Sequence, residues 1–148
     1  MKRILKTALL ALLFTQTQAA TMIVTGACSK KPLFKQSVKI AAMSAGDFSV
    51  KVFDQYKIPY DGSTNHMSSI FNSATGLDAM EVLSDTEMRS HGWCFSINGV
   101  LADVYPHEVQ IKDSDVVHWF YGYAYYNAGE WTGMCAPTFE IAPDQFCE

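Results

Sequence analysis

Asn98-Gly99 lies between two stretches of alternating apolar residues, and no other feature restricts the fold of this chain as much. Both residues tolerate the positive φ that a two-residue type I′ turn requires, so the pair specifies a β-hairpin and its register. Ile97 then faces Val100, Phe95 faces Ala102 and Trp93 faces Val104 on one side, while Ser96 meets Leu101 and Cys94 meets Asp103 on the other. The expected buried face is Trp93, Phe95, Ile97, Val100, Ala102 and Val104.

The remaining elements are read from periodicity. Val38, Ile40 and Ala42 alternate with polar or small residues, as do Phe48, Val50 and Val52, and Ser44-Ala45-Gly46-Asp47 separates the two runs. That pattern predicts a second hairpin with one wet face. Ser63 or Thr64 can cap a helix whose apolar positions Met67, Ile70, Phe71 and Ala74 fall at i, i+3, i+4 and i+7, with Gly76 as its stop. Residues 79–90 are read as a short strand and a polar loop. Val109 and Ile111 resume the alternation, Asp113 and Asp115 flank a turn, and Val116 to Tyr126 makes a long final strand. The class is α+β: two hairpins and extra strands in a mixed sheet packed on one α-helix.

The ends bound the compartment. Lys2, Arg3 and Lys6 precede an apolar run, Thr7 to Phe14, and small residues at Ala19 and Ala20 suit a cleavage site, so residues 1–20 read as a secretory signal peptide. The apolar run is too short to span a bilayer. Residues 21–36 read as an N-terminal arm and residues 37–148 as one domain with a cysteine-containing tail. Losing the leader removes three of eleven basic residues and none of the fifteen acidic ones, which takes the formal charge from -4 to -7. Nucleic acid is excluded as a partner on that balance. The expected location is secreted or periplasmic.

Cys28, Cys94, Cys135 and Cys147 all follow the leader, so two disulfides are expected in an oxidising compartment. Three pairings are possible. Closeness in sequence favours Cys135 with Cys147 across the proline-containing tail, which leaves Cys28 for Cys94.

The candidate site is the final strand. Val117, Trp119, Tyr121, Tyr123 and Tyr125 share one face, and Val116, His118, Phe120, Gly122 and Ala124 share the other. If the smaller set packs inward, Trp119, Tyr121, Tyr123 and Tyr125, with Trp131 nearby, form an open ladder on which a planar molecule or a glycan can stack. No catalytic set accompanies it. His91 and Cys94 have a ligand-like spacing without a second pair, so no metal and no cofactor is expected. There is no GxSxG, and an acid-base role for His118 or His107 would need a neighbouring carboxylate.

With these residues placed, the chain resembles bacterial secreted domains related to the C-terminal domain of transcobalamin. The likeness rests on Gly62, on Gly92-Trp93-Cys94-Phe95-Ser96-Ile97-Asn98-Gly99, close to GWxYxVNG, and on Asp113-Ser114-Asp115-Val116-Val117-His118-Trp119-Phe120-Tyr121, close to DGDxVxWxY. It covers about Val38 to Tyr126, with Cys94 and Ser114 as departures. The resemblance implies a β-grasp-like fold and binding of a soluble ligand, which is cobalamin in transcobalamin itself. The helical domain that completes the transcobalamin pocket has no counterpart here. The expected function is therefore an exported, non-catalytic ligand-binding module. The alternative is a protein interaction module of the cell envelope, an inhibitor or an assembly subunit, acting through the acidic body and the tyrosine-rich edge.

Overall fold

A computed structural model describes residues 19–147. The leader expected over residues 1–20 lies outside them except for Ala19 and Ala20, which already belong to the first strand. In chain order the elements are β1 (Ala19–Thr25), β2 (Phe34–Lys39), β3 (Met43–Ser44), α1 (Ala45–Tyr56), β4 (Tyr60–Gly62), β5 (Met67–Ile70), β6 (Met80–Val82), β7 (Glu87–Ile97), β8 (Val100–Leu101), β9 (Gln110–Ile111), β10 (Val116–Asn127) and β11 (Glu130–Pro137). The main sheet runs β2-β1-β10-β7-β6 and is mixed, with β1 and β10 parallel at its centre. Among the described residues α1 is the one α-helix. The fold is thus α+β, as the sequence predicts, with different segments in several of the roles.

The organising strand is β10. On one side β7 pairs with it from Val117↔Ile97 to Asn127↔Glu87. On the other side β1 covers Val116 to Phe120, and beyond that β11 takes over from Gly122 to Asn127. Met22 and Val24 of β1, Val117, Trp119 and Tyr121 of β10, and Phe95 of β7 consequently share one face, and that face is buried under α1 and its neighbouring loops. Residues 21–36 are therefore not an arm, because their first five residues are sheet interior. Thr21, Ile23 and Thr25 point the other way, which is why the segment looks mixed in sequence.

The helix sits where a hairpin is expected, and a strand pair sits where the helix is expected. Ser44-Ala45-Gly46-Asp47 is an N-terminal cap: Ser44 Oγ accepts from the Asp47 N–H (3.0 Å) and donates to Asp47 Oδ2 (2.7 Å). Ala45, Phe48, Ser49, Val52 and Phe53 then form the buried stripe, at helical spacing. Phe48 and Val52 fit both periods, so only Ala45, Ser49 and Phe53 distinguish helix from strand. Lys57 closes the helix in the left-handed conformation, with Ile58 N–H donating to Phe53 O (2.9 Å).

The expected helix over 63–76 fails for a compositional reason. Seven of the twelve residues from Ser63 to Ala74 are Ser, Thr or Asn, whose short side chains compete for backbone groups. Ser73 Oγ indeed accepts from Ile70 N–H (3.3 Å), and Ser69 Oγ donates to Ser73 O (3.0 Å). The segment becomes β5 followed by a tight turn at Phe71 and Asn72, both at positive φ.

The Asn98-Gly99 hairpin forms in the expected register, Ile97↔Val100 and Ser96↔Leu101, with φ of 54° and 81° at the turn. Its second arm is short. After Ala102 N–H donates to Phe95 O (3.0 Å) the chain leaves the sheet, so Val100 and Val104 are exposed rather than buried. Asn98 does more than turn the chain, since its Oδ1 accepts from Val116 N–H (2.8 Å) and its Nδ2 donates to Asp115 Oδ1 (2.9 Å). Asp113 and Asp115 act as turn formers: Asp115 Oδ2 accepts from Lys112 N–H (2.9 Å) and Asp113 Oδ1 from Ala19 N–H (2.6 Å).

Gly46 reports a close approach. A Cβ on Gly46 would collide with the Thr64 carbonyl, because α1 lies directly on that loop. A gain in helix propensity of about 1 kcal/mol from Gly46→Ala cannot offset an overlap with backbone. We predict a net loss of about 1 to 3 kcal/mol for Gly46→Ala, measured as a lower urea midpoint at unchanged slope.

Candidate functional site: an aromatic cavity beneath a disulfide

The pairing of the cysteines shapes the site, and it differs from the expected one. The bridges are Cys28–Cys147 and Cys94–Cys135, with Cα separations of 5.4 Å and 6.0 Å. Cys94 and Cys135 lie on the two neighbours of β10 and join across it at Gly122, where a Cβ would stand 3.3 Å from Cys94 Sγ. Closeness in sequence misleads here because β10 and β7 place residue 94 beside residue 135. Cys94 is thereby removed from any metal-ligand role with His91. Cys28–Cys147 ties the loop after β1 to the C-terminal tail, bringing Phe146 over the sheet.

Beyond the region covered by α1, the buried face of the sheet continues through Trp93 and Tyr121, directly paired across β7 and β10. Their rings meet edge to face at 5.4 Å. Trp93 Nε1–H donates to Ser73 Oγ (2.7 Å), and Tyr121 O–H donates to Ala74 O (2.8 Å), so the two rings hold the turn at Phe71 and Asn72 in place. Phe146 stands perpendicular to Tyr121 at 5.6 Å. Together with the loop 26–33 these groups line a half-open cavity of about 360 Å³, walled by Leu33, Ile70, Phe71, Trp93, Tyr121 and Phe146, with Cys28, Ser29, Lys31 and Asn72 also on its wall. A ring at positive φ, as at Phe71, is strained by roughly 1 to 3 kcal/mol, and the hydrogen bonds from Trp93 and Tyr121 to the adjoining residues keep it there.

The five expected site residues do not converge. Trp119 is only 2 % exposed, packs against Phe95 at 5.1 Å and donates its indole N–H to Ser49 Oγ of α1 (2.8 Å), so it is core. The open ladder is therefore corrected: the aromatic face of β10 packs inward under the helix. Tyr121 is buried and forms part of the cavity wall. Tyr123 is half-buried, with the Arg89 guanidinium 5.5 Å over its ring and His91 at 5.6 Å. Tyr125 pairs across the sheet with Arg89, and its phenol is pushed up by its hydrogen bond to Glu87. Trp131 is 48 % exposed on the β10–β11 hairpin, 5.2 Å from Tyr126, and does not reach the cavity.

A polar network adjoins the cavity. His91, with its side chain fully buried, stacks on Tyr121 at 6.0 Å and meets Phe146 edge-on at 4.9 Å. Its Nδ1 bonds Thr138 Oγ1 (3.0 Å) and its Nε2 lies 3.4 Å from Glu81 Oε2, which also takes Arg89 Nη1 at 2.9 Å. A hydroxyl, an imidazole and a carboxylate in line have the composition of a nucleophilic relay, but Thr138 is wholly buried and no substrate can reach it. Burial lowers the basicity of His91, and Glu81 opposes that only in part. The arrangement is packing. His118 bonds Thr25 Oγ1 (2.8 Å) on the opposite face of the sheet, and His107 stacks on Tyr105, so neither adjoins the cavity.

Sequence reasoning missed Phe146, Phe71, Leu33 and Lys31 as wall residues and placed Trp93 on the buried face of its hairpin. The Cys28–Cys147 bridge, together with the Gln145 amide donating to Asp78 O (2.6 Å), brings Phe146 to Tyr121. No protein-family model matches the chain, and no curated protein matches it in sequence.

Two outcomes follow from this geometry. The Cys28–Cys147 bridge spans 119 residues and contributes about 4 to 5 kcal/mol in the chain-entropy account. Replacing Cys28 and Cys147 by serine lowers stability by that order and loosens Phe146 from Tyr121, measured by denaturant unfolding and by a loss of near-ultraviolet circular-dichroism intensity. Burial pushes the Tyr121 phenol up to about 12, above its usual 10.0. The unfolded phenol ionises first, so its contribution to stability is intact below pH 10 and is lost as pH climbs towards 12, a loss on the order of 3 kcal/mol. Absorbance titration at alkaline pH is expected to show one tyrosine ionising together with unfolding, and Tyr121→Phe removes that step.

Proposed function

We propose that this protein is an exported, non-catalytic binding module that holds a planar small molecule in the cavity between Trp93, Tyr121, Phe71 and Phe146. The observation that carries the reading is the saturation of the polar atoms in that wall: the indole N–H is spent on Ser73 and the phenol O–H on Ala74. The interior therefore offers ring faces and edges and few free hydrogen-bonding groups, which suits an aromatic ligand and disfavours a glycan, whose hydroxyls would lose water without replacement. The volume lies in the range of small-molecule sites.

Export is supported by two disulfides and by the leader read from the sequence. Among the described residues no helix is long and apolar enough to cross a membrane. A β-grasp-like assignment, and with it the likeness to transcobalamin C-terminal domains, is supported by a sheet order β2-β1-β10-β7-β6 in which the antiparallel pair β1 and β2 precedes α1 and the late strand β10 lies parallel beside β1. A second reading, a protein interaction module, rests on the β10–β11 hairpin, where Trp131 and Met134 are exposed together.

The two readings separate in one experiment. Thermal unfolding is followed with a panel of bicyclic aromatic compounds, cobalamin and short glycans. The cavity reading predicts a saturable rise in Tm with at least one bicyclic aromatic, abolished by Trp93→Ala and unaffected by Trp131→Ala. No shift with any compound, or a shift lost only in Trp131→Ala, would overturn it.

A further inference from the structure

The wall of the cavity carries one charged side chain, and it is a cation. Lys31 lines it with no Asp or Glu among the lining residues, in a chain that has fifteen acidic against eleven basic residues. Beside it Ser29 Oγ accepts from the Lys31 N–H (3.1 Å), which leaves the Ser29 hydroxyl hydrogen free to donate. Asn72, exposed on the facing turn, adds amide donors. Donors thus gather in two exposed segments at the rim, while the deeper wall is aromatic and aliphatic. A ligand matched to this division has a flat apolar body and a single acceptor-rich group at one end.

Resting on the binding reading above, we infer that the ligand class is an aromatic carboxylate of about a dozen non-hydrogen atoms, its ring system among Trp93, Tyr121 and Phe146 and its carboxylate at Lys31 and Ser29. The size follows from the cavity of 360 Å³ at roughly 30 Å³ for each water-sized group. The charge follows from Lys31: a charge-assisted contact at a partly shielded rim discriminates an anion from its neutral isostere, and the long aliphatic stem of lysine can lie along Leu33 while its head stays wet. A neutral or cationic aromatic would leave the ammonium unpaired or repelled.

Calorimetric titration of the disulfide-bonded protein with indole-3-acetate and with indole-3-acetamide at pH 7 tests this, because the two differ in charge and hardly in shape. The acid is expected to bind about tenfold more tightly than the amide at low salt, and the preference is expected to shrink in 0.5 M salt. Lys31→Met is expected to abolish the preference by weakening the acid alone, with Tm unchanged because the residue is exposed. Equal binding of acid and amide, or a preference that survives Lys31→Met, overturns the anionic class while leaving the cavity as a binding site. Binding of neither compound, nor of the matching naphthalene acid and amide, overturns both this inference and the reading on which it rests.

Discussion

A single buried hydrogen bond, Trp119 Nε1–H to Ser49 Oγ at 2.8 Å, joins the central strand to the helix, and most of the architecture depends on what it requires. Trp119 must face inward, so Val117 and Tyr121 face inward with it, and α1 must present a small polar residue to the sheet. Ser49 meets that need, because its hydroxyl donates to Ala45 O (2.7 Å) while accepting from the indole. Every buried polar side-chain atom among the described residues has a partner. The core can therefore hold an indole, a phenol and an imidazole on one sheet face without an unpaired polar group, whose cost would be about 1 to 3 kcal/mol each.

That orientation leaves a length problem, and the cavity arises from it. The helix has twelve residues and covers the sheet only as far as Trp119 and Phe95. Tyr121 and Trp93 lie two residue pairs further along the ladder, and their cover comes instead from the Phe71–Asn72 turn, the loop after β1 and the tail held by Cys28–Cys147. Three loop segments do not fill space as a helix does, and the gap between them is aromatic because the strands beneath it are. The same disulfide that stabilises the chain by constraining its longest loop also forms part of the cavity wall.

The parts legible in the sequence are those fixed by local chemistry. Asn98-Gly99 gives its hairpin and register because φ at two positions decides them. The turn at Asp113 and Asp115, the long strand after it and the α+β class follow from equally short-range signals. The exchanged helix and hairpin show the limit of periodicity: Phe48 and Val52 satisfy both a period of two and a period of 3.6, and Met67, Ile70 and Phe71 mimic a helical stripe in a segment whose serines and asparagines prefer turns. The cap at Ser44 and Asp47 was the available signal for the helix, and it reads as a turn until the stripe behind it is counted from Ala45. The face of β10 was undecidable from that strand alone, since both sets of side chains are apolar enough to pack. The disulfide pairing and Phe146 depended on which strands neighbour β10, which no local pattern encodes.

The three tryptophans stand in three different places: Trp119 in the core, Trp93 on the cavity wall and Trp131 on the exposed hairpin. Their indole N–H resonances in a ¹H–¹⁵N spectrum therefore report separately on the fold, the cavity and the hairpin during titration with a bicyclic aromatic carboxylate. A cavity site predicts a saturable shift of the Trp93 resonance with Trp119 and Trp131 unmoved. A shift confined to Trp131, or none in any of the three at saturating probe, would contradict it.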